Sequence, residues 1–138
     1  MSNDVFLSVC IPVYNSDVTE IVENLFSQRS KLSSNVEILI IDDHSHEQSR
    51  EKLHHISEKC SIIKLDKNIG RSRIRNLFLD FSNGKYLLFI DGDSKLISSH
   101  FLADYISHLE INKSKVLIGG SIYQNTKPET NKLLRWRY

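Results

Sequence analysis

The sequence is poor in three features that would each indicate a class of protein: paired cysteines, a long apolar run and net charge. Its two cysteines, Cys10 and Cys60, lie far apart in apolar segments without a metal-binding or redox spacing, so we expect buried, reduced thiols. No segment approaches the roughly 20 apolar residues that span a bilayer, and residues 1–4 lack the basic start of a signal peptide. A cytoplasmic location is therefore expected, with membrane association of the full-length protein left open.

The charge and composition exclude bulk attraction as the basis of function. A formal net charge of +1 gives no general affinity for nucleic acid or for a membrane surface. Hydrophobic residues at 40% and charged residues at 25% are ordinary globular values, and 138 residues suit one domain with a real core. Partners therefore have to be inferred from local sites, and nucleic acid is not expected among them.

Apolar runs alternate along the chain with segments whose apolar residues repeat at helical spacing. Helices are predicted after Ser16 or Asp17, from Ser45 through Lys59, after Gly70, and after Ser98 or Ser99. Strands are predicted at residues 5–13, 36–41, 61–65, 86–90 and 116–120, the last with an open extension to residue 123. This alternation predicts an α/β fold, a mainly parallel sheet with helices on both faces.

The strand predicted at 86–90 ends at two carboxylates, Asp91 and Asp93, which are separated by Gly92. Its aromatic and branched residues predict a strand that is buried on both faces. Ligands in open α/β sheets bind beyond the carboxyl ends of the strands, so we expect a cleft here, and Gly92 would let the chain turn and a ligand approach. Neighbouring carboxylates repel unless a cation intervenes, and oxygen ligands suit Mg²⁺ or Mn²⁺ with substrate phosphates. The alternative is a polar turn, since Asp, Gly and Ser are turn formers.

Two other predicted strands also end in polar residues. The first ends at Tyr14 and Asn15, and the second ends at Asp42 and Asp43. In a parallel sheet these ends share one edge, so one cleft should collect them with Asp93. The alternative for the acidic pair is helix capping, a role that we assign to Asp42 or Ser45.

Short motifs recur in a fixed order along the chain. They are Pro12-Val13-Tyr14-Asn15, Asp42-Asp43-His44-Ser45, Asn68-Ile69-Gly70, Arg75-Asn76, Gly84-Lys85-Tyr86 and Asp91-Gly92-Asp93. In this order they resemble the nucleotide-binding half of family-two glycosyltransferases, over roughly residues 5–121. Each motif is weak alone, but the ordered set is specific. The resemblance implies the GT-A fold, a Rossmann-like nucleotide-diphospho-sugar transferase architecture.

The resemblance also implies roles for the matching residues. The residues that the resemblance places at the nucleotide are Pro12, Tyr14, Asn15, Asp43, Arg75 and Asp91. Tyr14 would lie beside the base, Asp43 would accept from the base N–H, and Arg75 would sit near the base or the diphosphate. Asp91 would hydrogen-bond the ribose or reach the metal through water. Asp93 would ligate a Mn²⁺ or Mg²⁺ ion that bridges the two phosphates.

The activity implied by the resemblance is metal-dependent, inverting transfer of a hexosyl-type sugar. The donor would be a nucleotide-diphosphate sugar, expected to be a UDP-sugar, and the acceptor a glycan or a lipid-linked molecule. We expect a nucleotide-sugar-binding domain at 1–123 and the start of an acceptor-side region at 124–138. The chain would then end before the general base, which leaves the catalytic residue unknown. An apolar end at Leu133, Leu134 and Trp136 predicts self-association.

The sequence departs from the family pattern at two positions, and other interpretations of its residues and its function are open. Ile74 stands where a small residue is usual, and Ser94 where a further carboxylate is common. Arg71 and Arg73 are interpreted as a solvated helix face, and a zinc site at His44 and His46 lacks further ligands at a matching spacing. The competing functions are a nucleotide-sugar-binding module without turnover and a receiver-like, Mg²⁺-binding phosphoacceptor domain.

Overall fold

The computed structural model of the protein describes residues 4–120, in which strands and helices alternate. The strands are β1 (Leu7–Val13), β2 (Val36–Asp42), β3 (Ser61–Lys64) and β4 (Tyr86–Phe89). The helices are α1 (Thr19–Arg29), α2 (Glu47–His55), α3 (Arg71–Phe81) and α4 (Phe101–Asn112). Within these described residues, no helix has the length and hydropathy needed to cross a bilayer.

The described sheet is parallel throughout, in the order β3-β2-β1-β4. β1 pairs with β2 along its whole length, with Val13 opposite Asp42 at the carboxyl end. On its other side β1 pairs with β4 over residues 7–10. Because parallel strands run in the same direction, their carboxyl ends share one edge of the sheet.

The side chains of β1 alternate between two apolar layers, as the two-residue period of a strand requires. One layer lies on the side of the sheet opposite α3 and packs against α1, α2 and α4. The β1 residues in this layer are Leu7, Val9, Ile11 and Val13. Cys10 lies in the other layer, where it packs with Ile74 and Phe78 of α3. Helices cover both faces, so the predicted fold class is confirmed. The bulky Ile74 is a packing residue that is only 2% exposed.

Two predictions about strands are wrong. β4 is not buried on both faces: its side chains are half-buried, and Phe89 is 39% exposed. The reason is that β4 lies at the edge of the described sheet, with β1 on one side only. Residues 116–120 form no strand, and Val116 and Ile118 are exposed. The extension to residue 123 and the predicted boundary at 123/124 lie outside the described residues.

Helix starts also differ in detail from the sequence prediction. The carboxylate of Asp17 accepts from the Thr19 N–H at 3.0 Å, whereas the Ser16 hydroxyl donates to the Tyr14 carbonyl. Neither residue occupies the N-cap position of α1, which is Val18 without a side-chain capping hydrogen bond, but Asp17 does supply an acceptor for the first N–H of the helix. Helix α2 ends at His55, short of the predicted Lys59.

Gln28 is predicted in a polar return loop but is a buried residue of α1. Its Oε1 accepts from the Leu102 N–H at 3.0 Å, and its Nε2 donates to the Ser98 carbonyl at 2.9 Å. The first N–H groups of a helix have no partner inside that helix. Gln28 supplies an acceptor for one of these N–H groups at the start of α4. The Ser98 hydroxyl accepts from the His100 N–H, just before the helix, at 3.1 Å.

A polar network at the amino edge of the sheet fixes the start of β4. The Ser8 hydroxyl donates to the Glu37 carboxylate and accepts from the Gly84 N–H at 2.8 Å. Glu37 also accepts from the Asn83 N–H at 2.6 Å. Burial acts to raise the pKa of Glu37, but the hydrogen bonds from Ser8 and Asn83 outweigh it and lower that pKa. A Cβ at Gly84 would collide with Ser8, so only glycine allows this approach.

The two cysteines are free thiols. Burial raises the pKa of the Cys10 thiol to about 12 and that of Cys60 to about 11. Cys10 is fully buried and Cys60 is half-buried. The expectation of unpaired thiols is confirmed, with the burial of Cys60 only partial.

Candidate functional site

The sequence-predicted residues lie together at the carboxyl edge of the sheet. Tyr14 and Asn15 follow β1, Asp43 follows β2, and the Asp91-Gly92-Asp93 turn follows β4. Because β1 pairs with both β2 and β4, these three ends are neighbours. Pro12 is part of β1, and its carbonyl would lie 3.3 Å from a Cβ at Gly92. The absence of a side chain at Gly92 therefore lets the acidic turn pack against the end of β1.

Reciprocal hydrogen bonds join the loops after β1 and β2. The Asn15 N–H donates to Ser45 Oγ at 2.8 Å, and the Asn15 Oδ1 accepts from the His46 N–H at 2.8 Å. Asn15 and His44 both adopt left-handed backbone conformations, with φ of 53° and 65°. Asn and His tolerate this region better than most residues. Ser45 thus serves the β1 loop and does not cap α2, while a nucleotide contact for Asn15 stays a prediction.

The two adjacent aspartates after β2 hold different parts of the site. Asp42 is fully buried; its carboxylate accepts from the Ser45 N–H at 3.1 Å and from Arg50 Nε at 2.9 Å. It therefore stabilises the turn before α2 and the Arg50 side chain. The capping role predicted for Asp42 or Ser45 is wrong, because the N-cap position of α2 is His46 and no side chain of the described residues caps this helix.

Asp43 fastens the loop that leads from β3 into α3. It is 4% exposed, and its two oxygens accept from the Ile69 N–H at 2.7 Å and the Gly70 N–H at 2.9 Å. Gly70 has φ of 86°, a conformation that disfavours other residues, which explains the glycine of the Asn-Ile-Gly motif. A carboxylate has about four acceptor sites, so Asp43 keeps capacity for a ligand N–H. That contact with a base stays a prediction.

Asp91 is held by two arginines from the first turns of α3. Arg71 Nη2 donates to Asp91 Oδ2 at 3.0 Å, and Arg75 Nη2 donates to Asp91 Oδ1. The interpretation of Arg71 as only a solvated residue is therefore wrong, although its side chain is 69% exposed. The sequence indicates only that Arg71 and Arg75 share one face of the helix, because residues four apart project from the same side.

Aromatic surface lies beside these charges. Tyr14 is 52% exposed, and the guanidinium of Arg75 lies 6.0 Å from the centre of the Phe89 ring. An exposed aromatic ring at the carboxyl edge offers a flat apolar surface on which a planar group could stack. The structure thus combines such a surface with paired arginines and carboxylates at one edge.

A cleft of about 210 Å³ opens between α1 and the turn after β4, and Asp93 lines it together with Asp17 and Asn24. The Lys52 ammonium and the Thr19 N–H hydrogen-bond to Asp17 and lower its pKa to about 2, so Asp17 is anionic at neutral pH. The cleft lining thus combines the carboxylates of Asp17, Glu20 and Asp93 with the ammonium group of Lys95, and the first two carboxylates are paired with Lys52 and Lys95.

The donor set suits a hard cation that a bound ligand helps to coordinate. Within residues 4–120, no group of three or more His, Cys, Asp or Glu side chains is arranged to hold a metal by itself. Mg²⁺ and Mn²⁺ are commonly bound by one or two carboxylates with substrate phosphates and water, and Asp91 and Asp93 offer such oxygens. The same finding gives no support for zinc at His44 and His46, where the His44 ring nitrogen lies 3.4 Å from the Leu65 carbonyl.

Comparison with known proteins identifies relatives over most of the chain. The model of the family described as "Glycosyl transferase family 2" matches residues 8–138. An uncharacterized glycosyltransferase of Rickettsia conorii is 38% identical over 66% of this chain and 15% of its own length. The Staphylococcus aureus poly(ribitol-phosphate) beta-N-acetylglucosaminyltransferase TarP is 30% identical over 82% of this chain and 36% of its own.

Solved structures agree with this match. The S. aureus TarS 1–349 fragment in complex with UDP is 25% identical, with a TM-score of 0.69, over 91% of this chain and 40% of that one. The chain therefore spans well under half the length of the relatives and structures named here. The likeness in fold confirms the GT-A architecture.

Proposed function

The chain belongs to glycosyl transferase family 2, and we propose that it binds the nucleotide of a UDP-sugar as the donor half of a sugar-transferring enzyme. Two relatives support the choice of donor and acceptor class. TarP is named as an N-acetylglucosaminyltransferase acting on poly(ribitol-phosphate), and a TarS fragment was solved with UDP. A hexosyl-type sugar and a glycan acceptor are therefore proposed here as well. The family match leaves the receiver-like alternative without support.

The observation that carries the proposal is the meeting of opposite charges at the end of β4. Arg71 and Arg75 converge there on Asp91, and Asp93 lies in the same turn. A nucleoside diphosphate carries negative phosphates that guanidinium groups bind well, and it also attracts divalent cations that carboxylates hold. One edge of the sheet thus offers guanidinium groups for a diphosphate and carboxylates for the cation that accompanies it.

The remaining residues orient the nucleoside in this proposal. Tyr14 presents its exposed ring to the base, and Asp43 accepts from a base N–H with an acceptor site that its loop contacts leave available. Arg75 lies between this region and the diphosphate. Asp91 serves the ribose or a cation-bound water, and Asp93 ligates Mn²⁺ or Mg²⁺. A divalent cation at this position would stabilise charge developing on the leaving nucleotide.

The acceptor side of the reaction is proposed to lie beyond the described residues. Inverting transfer needs a base near the acceptor hydroxyl, opposite the leaving diphosphate. Glu110 of α4 does not qualify, since its carboxylate accepts from the Ser34 hydroxyl at 3.4 Å, near the start of β2 and thus at the opposite edge of the sheet. Glu129 lies outside the described residues, as do Leu133, Leu134 and Trp136. The lipid-linked acceptor, self-association and cytoplasmic location stay predictions.

Calorimetric titration of the 138-residue chain with UDP, with and without Mn²⁺, tests the proposal. We expect binding that Mn²⁺ strengthens, and a smaller Mn²⁺ effect in Asp93→Asn. Tyr14→Ala should weaken UDP binding about fivefold or more, because stacking on an aromatic ring contributes about 1–3 kcal/mol. Tyr14→Phe is the matched control, since it keeps the ring. Equal affinity of Tyr14→Ala and wild type would refute the placement of the base.

A further inference from the structure

The two arginines that hold Asp91 occupy both of its oxygens. Arg71 donates to Oδ2 and Arg75 donates to Oδ1, so each carboxylate oxygen faces a guanidinium group. A cation that approached Asp91 in this arrangement would also approach two positive charges. In contrast, a diphosphate would find two guanidinium groups already placed side by side by their spacing of four on α3.

We propose that Arg71 is a positioning residue that couples cation binding to nucleotide binding. Without nucleotide, Arg71 holds Asp91 and disfavours a cation there. When the diphosphate binds, Arg71 transfers its hydrogen bond from Asp91 to a phosphate oxygen, and Asp91 turns to the cation or to its bound water. This inference rests on the proposed function and adds an order to it: the nucleotide prepares the cation site.

The exposure of the contact makes such an exchange accessible. The side chain of Arg71 is 69% exposed and that of Asp91 is 42% exposed. Ion pairs between exposed groups contribute little, because water screens them and holding long side chains costs entropy. Guanidinium hydrogen bonds to phosphate can be bidentate and are among the stronger ones, so a diphosphate can compete for Arg71.

The state of Arg75 also favours rearrangement. Its Nε is buried and has no hydrogen-bond partner among the described residues, while its Nη2 is bound to Asp91. A buried donor without a partner is unfavourable relative to a satisfied one. The guanidinium group of Arg75 is therefore not fully satisfied in this arrangement. A ligand that draws Arg75 away from Asp91 can give the Arg75 Nε a hydrogen-bond partner. The same movement releases the Asp91 carboxylate.

Binding linkage gives the proposal a measurable form. If UDP frees Asp91 for a cation, UDP must raise the affinity for Mn²⁺, and Mn²⁺ must raise the affinity for UDP by the same factor. Removing Arg71 should raise Mn²⁺ affinity in the absence of nucleotide, because one repelling charge and one competitor for Asp91 are lost. The factor by which UDP raises Mn²⁺ affinity should then fall.

The experiment measures free Mn²⁺ by electron paramagnetic resonance during titration of the 138-residue chain, with and without saturating UDP. For Arg71→Gln we expect nucleotide-free Mn²⁺ affinity to increase about twofold to fivefold, the range of an exposed ion pair, and the UDP coupling factor to decrease by about as much. Arg73→Gln is the matched control: Arg73 is exposed on the same helix but is not one of the arginines that reach Asp91, so both quantities should stay at their wild-type values.

Two results would overturn the coupling while leaving the proposed function intact. One is an Arg71→Gln variant that binds UDP and Mn²⁺ as wild type does. The other is a variant whose UDP affinity falls while its coupling factor is unchanged, which would make Arg71 an ordinary phosphate contact. If the wild-type chain binds no UDP, the proposed function fails and the coupling fails with it, and the absence of any UDP signal identifies that case.

Discussion

Replacing Asp43 by Asn should destabilise the fold as well as the site. The carboxylate of Asp43 is buried and accepts from the N–H groups of Ile69 and Gly70, at 2.7 and 2.9 Å. Asn offers one acceptor oxygen, so its NH₂ group would face one of these two donors. A hydrogen bond to a charged acceptor contributes about 1.5–3 kcal/mol. We therefore expect Asp43→Asn to lower the free energy of unfolding by about 2–3 kcal/mol.

Urea unfolding followed by circular dichroism measures this change, with an unchanged denaturant slope showing that only stability was altered. A domain of this size should also lose roughly 8–12 °C in Tm. Asp66→Asn is the control, because Asp66 is an exposed carboxylate in the same loop between β3 and α3, and it should stay within about 0.5 kcal/mol of wild type. An Asp43→Asn variant as stable as this control would refute the loop-fastening role. Nucleotide titrations of Asp43 variants therefore need a temperature well below their Tm.

Three further predictions concern the core and its polar network. Gly84→Ala should lower the free energy of unfolding by about 2 kcal/mol or more in urea titration, because its Cβ would collide with Ser8, whereas Gly120→Ala, with open space around its Cβ, should have little effect. Glu37→Gln should destabilise by about 1 kcal/mol at pH 7. Since the folded-state pKa of Glu37 is lowered, this difference should be present above the unfolded pKa and disappear as the pH falls through the folded pKa; a constant difference would contradict its role as an ionised acceptor. Cys10 and Cys60, whose pKa values are about 12 and 11, should react slowly with Ellman's reagent in the native chain and fast in urea, and rapid native reaction of Cys10 would contradict its burial.

The fold class follows from local patterns that short-range physics controls. The two-residue period of β1 and the helical spacing of apolar residues in α1 and α3 depend only on neighbours in sequence. The same holds for the convergence of Tyr14, Asp43 and Asp91, because a parallel sheet has all its carboxyl ends at one edge. These features were predictable from the sequence alone, without knowledge of any tertiary contact.

The exposure of β4 was not predictable in this way. Its aromatic and branched residues have the composition of a buried strand, but burial depends on which strands lie on either side, and in the described sheet β1 is the single neighbour of β4. Residues 116–120 fail as a strand for the same reason, since a strand exists only through hydrogen bonds to a partner.

The sequence by itself determined the kinds of groups present at the site: a tyrosine after the first strand, paired carboxylates, and arginines four apart on a helix. Only the tertiary structure decided which of them meet. Asp43 binds the N–H groups of Ile69 and Gly70, and Arg71 reaches Asp91, across separations that no local pattern encodes. The physical reason is that a charged side chain pairs with whatever the folded backbone brings within hydrogen-bond distance, and that distance is set by the packing of α3 on the sheet through Ile74 and Phe78.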